Sequence, residues 1–466
     1  MQKETVVFKF GGGCFKDINS FNHSLQIVEK YRNTRLVIVC SALNGITNKL
    51  IEFGKAVYAS TEPLDDPKVL DLLKAIIDQH DAIIDQTFSG SPQYVQSLKQ
   101  YVREQIDHLK SRIKDIQTMG FAEKTFDFTV HFGERISTYL FYKFLEYKNI
   151  ASDYISSEND FLITNANFTN ALPKLDLCEE KISKKLNPLL DQGKVVCVTG
   201  YYGSAEKGEI TTLGRGGTDF SATIVAYSLK KSDEDSVTII FWKDVDGILA
   251  ANPKIVKDAK ILASLSYREA RELAFFGSNI LHPLCLITAE KKCIKTEIRN
   301  FQHSERQIHT EIVACFDIPP NGHVIKAISS MNQIALVTVE GDAMVSLPGS
   351  AANLFELMGD NNINVNFISQ SSSENNITFG TAVENAEKVK HILSNSKFFK
   401  KQWFSINVDA NMGIVAVVGM GMLQRKGIAG KVFTLLGNND INIVAIAQGS
   451  SEMNMTMVIH KNDNEK

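Results

Sequence analysis

The N-terminal part of the chain alternates short apolar runs with amphipathic stretches. Val6–Phe10 is an apolar run that stops at three glycines, and Asp17 or Asn19 then suits the cap of a helix through Val28. Leu36–Cys40 is a second apolar run, which ends at Ser41 and precedes a helix predicted over Asn44–Phe53. Two consecutive strand-turn-helix units indicate a mainly parallel sheet.

The same pattern continues to about residue 290. Residues 64–117 lack strand-like alternation and carry apolar residues at helical spacing, which predicts a helical region. Further strands are predicted at Phe126–Phe132, Val195–Thr199 and Ser236–Trp242. We therefore expect one α/β domain over residues 1–293.

The C-terminal third contains an internal repeat. Met358–Phe379 aligns without gaps to Leu436–Met457 at an offset of 78 residues. Each copy predicts a strand, a helix and two further strands. A helix at Asn385–Asn395 and a strand at Phe404–Val408 complete the first copy as a βαββαβ module.

Too few residues follow the second copy to complete it in the same way. We expect its missing helix and strand to come from residues 294–325, which have no other assignment. The predicted modules are then 326–410 for the first, and 294–325 with 411–466 for the second.

Composition limits the class of protein. The 466 residues are 44% hydrophobic and 22% charged, and 50 Lys and Arg stand against 53 Asp and Glu, a formal charge of −3. This balance is typical of a folded protein of two to four domains and provides no basic field for nucleic acid or membrane surfaces. Seven cysteines without a CxxC pair, and no signal-peptide core, favour reduced thiols in the cytoplasm.

Glycine-rich turns at strand ends carry the candidate chemistry. Lys9 with Gly11 and Gly12 can approach a phosphate, or can form an ordinary turn. In Leu213–Asp219, an arginine and an acid surround such a turn just before a helix, where the arginine can bind a carboxylate. The alternative is a capped helix with a solvated arginine.

Three further positions each allow a structural and a functional interpretation. Glu134 opens a helix and is either a dipole partner or a ligand contact. Asp244 and Gly247 follow a strand and suit either a magnesium-nucleotide site or an Asp-Gly turn. His282 before proline is interpreted as a structural loop residue. Their joint occurrence at strand ends, where open α/β sheets bind ligands, favours function.

Taken together, these segments resemble the aspartokinases of the amino-acid-kinase fold, a mainly parallel sheet flanked by helices and followed by two ACT modules. The segments that carry the resemblance occur in the family's order: Lys9–Gly12, Ser41, Gly45–Asn48, Phe132–Arg135, Val198–Gly203, Leu213–Asp219, Asp244–Gly247 and Phe276–Pro283. The repeats are most similar to the kinase half of bifunctional aspartokinase–homoserine dehydrogenases. The sequence ends at Lys466, so a dehydrogenase domain is not expected.

The resemblance implies transfer of the ATP γ-phosphoryl group to the side-chain carboxylate of L-aspartate, the first step in making lysine, threonine and methionine. It implies that Lys9, Gly11 and Gly12 hold the phosphoryl group and that Asp219 organises the site. It implies that Arg215 binds the α-carboxylate of aspartate and Glu134 its ammonium. The remaining implied substrate contacts are Ser41, Thr47, Gly216 and Gly217.

The implied contacts to ATP and Mg²⁺ are Lys9, Lys243, Asp244, Gly247, Asn252, Lys254 and Asn279. No metal-ligand set is assigned. Several positions depart from the family pattern: Gly13 and Cys14 replace hydroxyl residues, Asn252 replaces an aspartate, and Asn279 replaces a lysine. The trio Glu134, Arg215 and Asp219 is intact, which favours an active kinase.

Two alternatives remain open at this point. The chain is a degenerate kinase that senses amino acids, or a kinase of the same fold for another carboxylate. For regulation, the resemblance implies effector contacts at the equivalent repeat positions Asn364 and Asn442, and Gln370 and Gln448, with threonine or lysine as effector. It also implies a homodimer or higher homo-oligomer formed through the ACT modules.

Overall fold

The computed structural model describes residues 4–275, 281–314, 324–341, 344, 348–371, 373, 375–399, 404–449 and 451–466. The chain divides into two compact units. The first is made of Met1–Ile248, Ile261–Tyr267 and Ile280–Ile318, and the second of Leu249–Lys260, Arg268–Asn279 and Pro319–Lys466. Among the described helices, none is long and apolar enough to cross a membrane.

The first unit contains eleven strands among its described residues. In chain order they are β1 Thr5–Phe10, β2 Arg35–Cys40, β3 Ser152–Ile155, β4 Ile163–Thr164, β5 Val195–Thr199, β6 Tyr202–Ala205, β7 Ile210–Thr212, β8 Val237–Lys243, β9 Ser264–Ser266, β10 Lys295–Asn300 and β11 Thr310–Val313. Eight form the main sheet in the order β3-β5-β2-β1-β8-β10-β11-β9, and β4, β6 and β7 form a small second sheet.

The main sheet is parallel apart from the β10–β11 pair, so the predicted α/β class is confirmed. Strand β1 lies between β2 and β8, and the chain leaves it on one side for β2 and β5 and later returns on the other for β8 and β10. In open parallel sheets, the crevice at such a reversal of strand order is where ligands bind.

Eleven α-helices are described between Ile18 and Glu290, and all but α10 belong to the first unit, since residues 268–275 of α10 are part of the second. They are α1 Ile18–Lys30, α2 Ile46–Ala59, α3 Pro67–Thr87, α4 Pro92–Lys110, α5 Ile113–Met119, α6 Glu123–Val130, α7 Phe132–Tyr147, α8 Leu175–Asp191, α9 Gly217–Leu229, α10 Tyr267–Phe275 and α11 Pro283–Glu290. The Asp17 side chain caps α1 by accepting the Ser20 amide, as predicted. The predicted helical region over residues 64–117 is confirmed by α3, α4 and α5.

The core of the first unit lies between the sheet and α1 and α7. It contains fully buried phenylalanines, several of whose rings meet edge to face: Phe8, Phe10, Phe15, Phe21, Phe141 and Phe144. Edge-to-face contacts between buried rings stabilise a core beyond their area alone. On β1 the even residues Phe8 and Phe10 face this core, so Lys9 faces the opposite side.

The strand predicted over Phe126–Phe132 is wrong, because these residues form α6 and the start of α7. The alternation of phenylalanine with polar residues is typical of a half-buried strand. In the helix, however, the polar residues Thr125, Asp127 and Thr129 are themselves buried. Their burial breaks the rule on which the strand prediction depended.

The second unit contains a six-stranded antiparallel sheet. Its strands are β12 Ala327–Glu340, β13 Phe367–Gln370, β14 Asn376–Thr381, β15 Ser405–Val418, β16 Ile443–Ala447 and β17 Asn454–His460, in the order β13-β14-β12-β15-β17-β16. Helices α12 Ser350–Asp360, α13 Ala386–Asn395 and α14 Ile428–Asn438 accompany them. The order β12-α12-β13-β14-α13-β15 confirms the βαββαβ prediction for the first copy.

The expected donor segment of the second copy is wrong. Within residues 294–325, β10 pairs with β8, and β11 pairs with β10 and β9, so both strands belong to the main sheet of the first unit. The second copy is completed instead by the first half of β12, where Ala327–Met331 pairs with Ile414–Val418 of β15. Long strands β12 and β15 thus serve both copies, each through one half of its length.

Candidate functional site

Three charged side chains meet at the carboxyl ends of β1 and β8. Lys9 Nζ lies 3.0 Å from Asp219 Oδ1, and Lys243 Nζ lies 2.7 Å from Asp219 Oδ2. Lys9 comes from β1, Lys243 ends β8, and Asp219 stands in the first turn of α9. All three side chains are less than a fifth exposed.

The electrostatics of this triad favour an anion. Burial opposes the charge on Asp219, but Lys9 and Lys243 outweigh it and hold the pKa of Asp219 below its usual range. Burial likewise opposes the charge on Lys9, yet Asp219 keeps the pKa of Lys9 above normal. For Lys243, burial and the nearby Lys9 prevail over Asp219, and its pKa is lowered. One carboxylate faces two ammonium groups, which leaves a net positive charge when all three are ionised.

A cavity of about 330 Å³ adjoins the triad. Its lining comes from the glycine turn, the ends of β8 and β10 and the loop before α2: Lys9, Gly11, Gly13, Cys14, Asn44, Trp242, Lys243, Asp244, Phe301 and Gln302. A Cβ at Gly12 would lie only 3.2 Å from the Ala42 carbonyl oxygen, so the turn packs closely on the β2–α2 loop. Burial raises the pKa of Cys14 to about 12, so its thiol is neutral.

Glu134 is a buried carboxyl in the first turn of α7. It is 4% exposed, and its Oε2 has no hydrogen-bond partner among the described residues. Burial raises the pKa of Glu134 to about 8, although the backbone of Ala42, its own backbone and the charge of Lys9 act in the opposite direction. A buried carboxyl with an unused oxygen suits a cationic ligand group.

Ser41 and the start of α9 form a hydrogen-bonded wall. Ser41 Oγ donates to Thr218 Oγ1 at 2.9 Å, and Ser137 Oγ donates to the Ser41 carbonyl oxygen at 2.6 Å. A Cβ at Gly200 would lie 2.4 Å from Thr218 Cγ2, so only glycine fits there. Thr47 lies in the first turn of α2 and is half-buried.

Arg215 stands on an exposed turn between β7 and α9. Gly214 and Gly216 on either side have φ of 74° and 76°, a left-handed conformation that glycine adopts without strain. Gly217 begins α9. Within the described parts of the chain, the Arg215 guanidinium has no hydrogen-bond or ion-pair partner and is free to receive an anion.

His282 lies beside this turn, since a Cβ at Gly216 would come within 3.1 Å of the His282 Cβ. His282 caps α11 by accepting the Leu284 amide at 3.2 Å, which agrees with its interpretation as a structural residue. Burial lowers its pKa, so the ring is neutral near pH 7.

The expected nucleotide contacts are brought together only in part. Asp244 lines the cavity beside Lys243. Gly247 follows with φ 155°, where a Cβ would lie 2.5 Å from Thr310 Oγ1. Asn252 and Lys254 fall in the Leu249–Lys260 segment of the second unit, where Asn252 Oδ1 accepts the Lys254 amide in a local turn. Asn279 lies outside the described residues.

The four expected regulatory residues are exposed and lie at the edges of the antiparallel sheet. Gln370 ends β13 and Gln448 follows β16, and these two edge strands approach each other to within 8 Å between Cα atoms. Asn364 Nδ2 donates to Asn366 Oδ1 at 2.6 Å. Asn442 directly precedes β16.

Sequence reasoning missed two residues of the site. Tyr201 has φ 74°, unusual for a side chain of its size, and its carbonyl oxygen accepts the Leu213 amide at 2.9 Å. Burial and then the charge of Glu134 raise the pKa of Tyr201 above its usual range. The other is Asp127, hidden in the segment predicted as a strand. Tyr201 lies within the Val198–Gly203 segment of the family pattern, which could have pointed to it, whereas Asp127 carries no sequence signal beyond its position seven residues before Glu134.

Residues 4–300 match the model of the amino acid kinase family. The chain belongs to this family. Residues 337–396 and 415–466 match an ACT domain model, in agreement with the two repeat copies. The family membership inferred from the strand-end motifs is therefore confirmed.

Relatives extend the match over the whole chain. The bifunctional aspartokinase/homoserine dehydrogenase 2 of Arabidopsis thaliana is 30% identical over 475 residues, which cover 99% of this chain and 49% of that protein. The lysine-sensitive aspartokinase 3 of Escherichia coli is 28% identical over 466 residues, 99% of this chain and 97% of that one. The chain thus spans about half the length of the bifunctional relatives and nearly all of the other.

Solved structures also match this chain over nearly its whole length. Escherichia coli aspartokinase III in complex with aspartate and ADP superimposes with a TM-score of 0.81 at 25% identity, covering 99% of this chain and 97% of that one. The same enzyme in complex with lysine and aspartate gives a TM-score of 0.77 at 25% identity, with the same coverage. The predicted architecture of a kinase domain followed by ACT modules is confirmed.

Proposed function

We propose that this amino acid kinase transfers the γ-phosphoryl group of ATP to the side-chain carboxylate of L-aspartate, giving 4-phospho-L-aspartate and ADP. The observation that carries the proposal is the triad of Lys9, Asp219 and Lys243. Its surplus positive charge lies at the strand ends, at the reversal of strand order where parallel sheets bind ligands.

Phosphoryl transfer requires mainly that the two substrates are aligned and that the charge of the transferred group is stabilised. A β-carboxylate oxygen of aspartate attacks the γ-phosphorus, the new P–O bond forms, and the bond to the β,γ-bridging oxygen breaks with its electron pair leaving on ADP. Lys9 and Lys243 would stabilise the charge on the transferred group and on the leaving phosphate. The amides of Gly11 and Gly12 would add hydrogen bonds to its oxygens.

Recognition of aspartate would use the two ends of the amino acid. Arg215 would bind the α-carboxylate through a bidentate pair, and Glu134 would bind the α-ammonium. Ser41 and Thr218 would line the pocket between them. A free ammonium would satisfy the unused Oε2 of Glu134, which is the reason to expect aspartate rather than an N-acylated acid.

Magnesium is the metal that ATP would bring to this site. Asp244 is the carboxylate on the cavity wall next to Lys243, and carboxylate oxygens are ligands that Mg²⁺ prefers. When bound, Mg²⁺ neutralises phosphate charge and assists departure of the ADP oxygen. Asp244 would hold it while Lys243 and Lys9 contact the phosphates.

The direct test is turnover. Purified protein with ATP, Mg²⁺ and L-aspartate should release ADP and form an acyl phosphate that hydroxylamine traps. Arg215→Ala should raise the KM for aspartate at least tenfold, whereas the matched control Arg112→Ala should not, since Arg112 is an exposed arginine directly before α5 that pairs with Asp115. Normal activity of Arg215→Ala would refute the substrate assignment.

A same-fold kinase for another carboxylate is tested in the same assay with glutamate and N-acetyl-aspartate. The wild-type chain should prefer the free amino acid, and Glu134→Gln should reduce that preference. The degenerate-kinase alternative rests on Gly13, Cys14 and Asn252, which depart from the family pattern; Gly13 and Cys14 line the cavity. This alternative predicts that amino acids raise the Tm of the protein, while no ADP is released from ATP with any carboxylate as acceptor.

We further propose that the ACT pair binds a regulatory amino acid. Gln370 and Gln448 present side-chain amides that both donate and accept, which suits a zwitterion. Lysine is an effector to screen because the Escherichia coli relative is named as lysine-sensitive, and threonine is the second, because the family resemblance implies it. The exposed edges β13 and β16 also offer unpaired backbone groups, which supports a homodimer formed through the ACT modules.

A further inference from the structure

Asp127 is a fully buried carboxylate that no expected role explains. It lies in α6, and its Oδ2 accepts the amides of Thr169 and Thr212 at 2.9 and 2.8 Å. Its Oδ1 accepts the Thr212 hydroxyl at 2.6 Å. One side chain therefore joins α6 to the loop before residue 171 and to the end of β7.

Both partners of Asp127 lead to the turn that carries Arg215. Thr212 ends β7, three residues before Arg215. Thr169 packs on Gly214, where a Cβ would lie 3.1 Å from the Thr169 carbonyl oxygen and 3.0 Å from Asn170 Oδ1. Asp127 thus contacts both segments that confine this turn.

The backbone at Thr169 shows that this loop is held under constraint. Thr169 has φ 65°, a left-handed conformation that a β-branched residue adopts only when its surroundings require it. Its amide is bound to Asp127, so the hydrogen bond contributes to keeping it there.

Asp127 also has a fixed relation to Glu134. Helix α6 ends at Val130, α7 begins at Phe132, and Glu134 lies in the first turn of α7. Asp127, which binds both segments around the Arg215 turn, thus lies on the helix directly before the helix that carries Glu134.

We propose that Asp127 is a positioning residue that sets the separation between Arg215 and Glu134, and thereby the fit of the amino acid bound between them. This inference rests on the proposed function, because it assigns the two ends of aspartate to those residues. Lys9 and Lys243 stand on β1 and β8 and are not positioned by Asp127, so the effect is specific to the amino-acid substrate.

The decisive variant is Asp127→Asn. A carboxylate accepts all three hydrogen bonds, whereas an amide offers one oxygen and turns an NH₂ group toward a donor. We expect the KM for aspartate to rise about tenfold or more, since small displacements of positioning groups are costly, while the KM for ATP stays within about twofold. Thr212→Val removes only the hydroxyl and should give a smaller rise, and Thr212→Ser should restore the wild-type value.

Asp235→Asn is the matched control. Asp235 accepts two backbone amides and one hydroxyl, from Lys231 and Ser232, in a turn outside the site. It should leave both KM values unchanged. An unchanged KM for aspartate in Asp127→Asn, or equal rises for aspartate and ATP, would overturn the proposal.

Hydrogen–deuterium exchange gives a readout that does not need turnover. Amides in residues 165–171 and 211–217 should exchange faster in Asp127→Asn and Thr212→Val than in the wild type, Thr212→Ser or Asp235→Asn. Unchanged exchange there would also overturn the proposal. If the wild type does not phosphorylate aspartate, the proposed function fails, and the exchange data still decide whether Asp127 holds the turn.

Discussion

Lys243 Nζ lies 2.7 Å from Oδ2 of Asp219, the oxygen that Lys9 leaves free. The two lysines come from neighbouring parallel strands and bind opposite oxygens of one carboxylate on α9. This arrangement keeps both ammonium groups ordered at the mouth of the cavity while only one of the two positive charges is neutralised. A polyphosphate is a ligand that would neutralise the remaining positive charge.

Removal of either lysine should therefore have a distinct effect. Lys9→Met should lower kcat about 100-fold or more, because an oriented cation at the transferred group is lost. Lys243→Met leaves the Lys9–Asp219 pair in place and should chiefly raise the KM for ATP. Steady-state kinetics with Lys231→Met as control check this, since Lys231 pairs with Glu179 outside the cleft. A wild-type KM for ATP in Lys243→Met would exclude Lys243 from nucleotide binding.

The raised pKa of Glu134 makes stability depend on pH. Between about pH 4.5 and 8 the folded chain keeps a proton on Glu134 that the unfolded chain has released. The free energy of unfolding should fall with rising pH through this window, by about 1.4 kcal/mol per pH unit for one proton, and this slope should end above pH 8.

Glu134→Gln has no such proton. The Tm of Glu134→Gln minus that of the wild type should increase between pH 6 and 8 and then level off, measured by differential scanning fluorimetry. Glu62→Gln, at an exposed loop position, should show no such trend. A pH-independent difference for Glu134→Gln would contradict the assignment of the raised pKa.

The same proton should be released when aspartate binds. The ligand ammonium favours the charged form of Glu134, so at pH 7 binding converts a mostly neutral carboxyl to carboxylate. Apparent affinity should rise with pH, up to about tenfold per unit, until about pH 8. Calorimetry at pH 7 in phosphate and in Tris should give different observed enthalpies for the wild type but equal ones for Glu134→Gln. Equal enthalpies for the wild type would contradict proton release.

Local patterns predicted the local structure well. The Asp17 cap, the strands that end at Phe10 and Cys40 and the helices over 64–117 all follow from spacing within a few residues. The approach of Lys9 to Asp219, 210 positions apart, came only from the family resemblance, because no periodicity encodes contact across a sheet. Alternation failed at Phe126–Phe132, where buried hydrogen bonds to Asp127 replace apolar burial.

The repeat predicted the two ACT copies but not how they share strands. Each copy requires strands at its border, and the sequence around Met331 and Met412 reads as separate short strands. In the structure these are continuous strands β12 and β15 with a shift of register between their halves. Which strands the two copies share depends on pairing between residues 80 or more positions apart. An unassigned segment such as 294–325 is therefore a weak guide to the strand that completes the second copy.

The regulatory assignment predicts unequal sites. Gln370 and Gln448 occupy equivalent positions, but Gln370 ends β13 while Gln448 lies just outside β16. Alanine at the site that binds the effector should raise the half-inhibitory concentration at least tenfold, because hydrogen bonds to the charged groups of a zwitterion are lost. Rates normalised to each variant's uninhibited rate, with lysine and threonine titrated separately, measure this. Wild-type inhibition in both variants would exclude the glutamines.

The last prediction concerns a buried ion pair within the second unit. Glu269 of α10 is fully buried, its Oε2 lies 3.0 Å from Lys326 Nζ, and its Oε1 accepts the Met420 amide at 2.8 Å. Glu269→Ala leaves Lys326 buried without this partner, and such a loss typically costs about 3–5 kcal/mol. Lys326→Met should also destabilise, because the buried carboxylate of Glu269 loses this cation.

Because each single change removes the same ion pair, the double variant should lose less stability than the sum of the two. Chemical denaturation, followed by far-UV circular dichroism, gives the free energy of unfolding of the wild type, the two single variants and the double variant. Lys466→Met, which breaks the exposed pair with Asp463, serves as control and should have no measurable effect. Additive losses in the double variant would show that Glu269 and Lys326 act independently, and that α10 is held to the sheet by other contacts, such as the bond between Glu272 and Asn454 of β17.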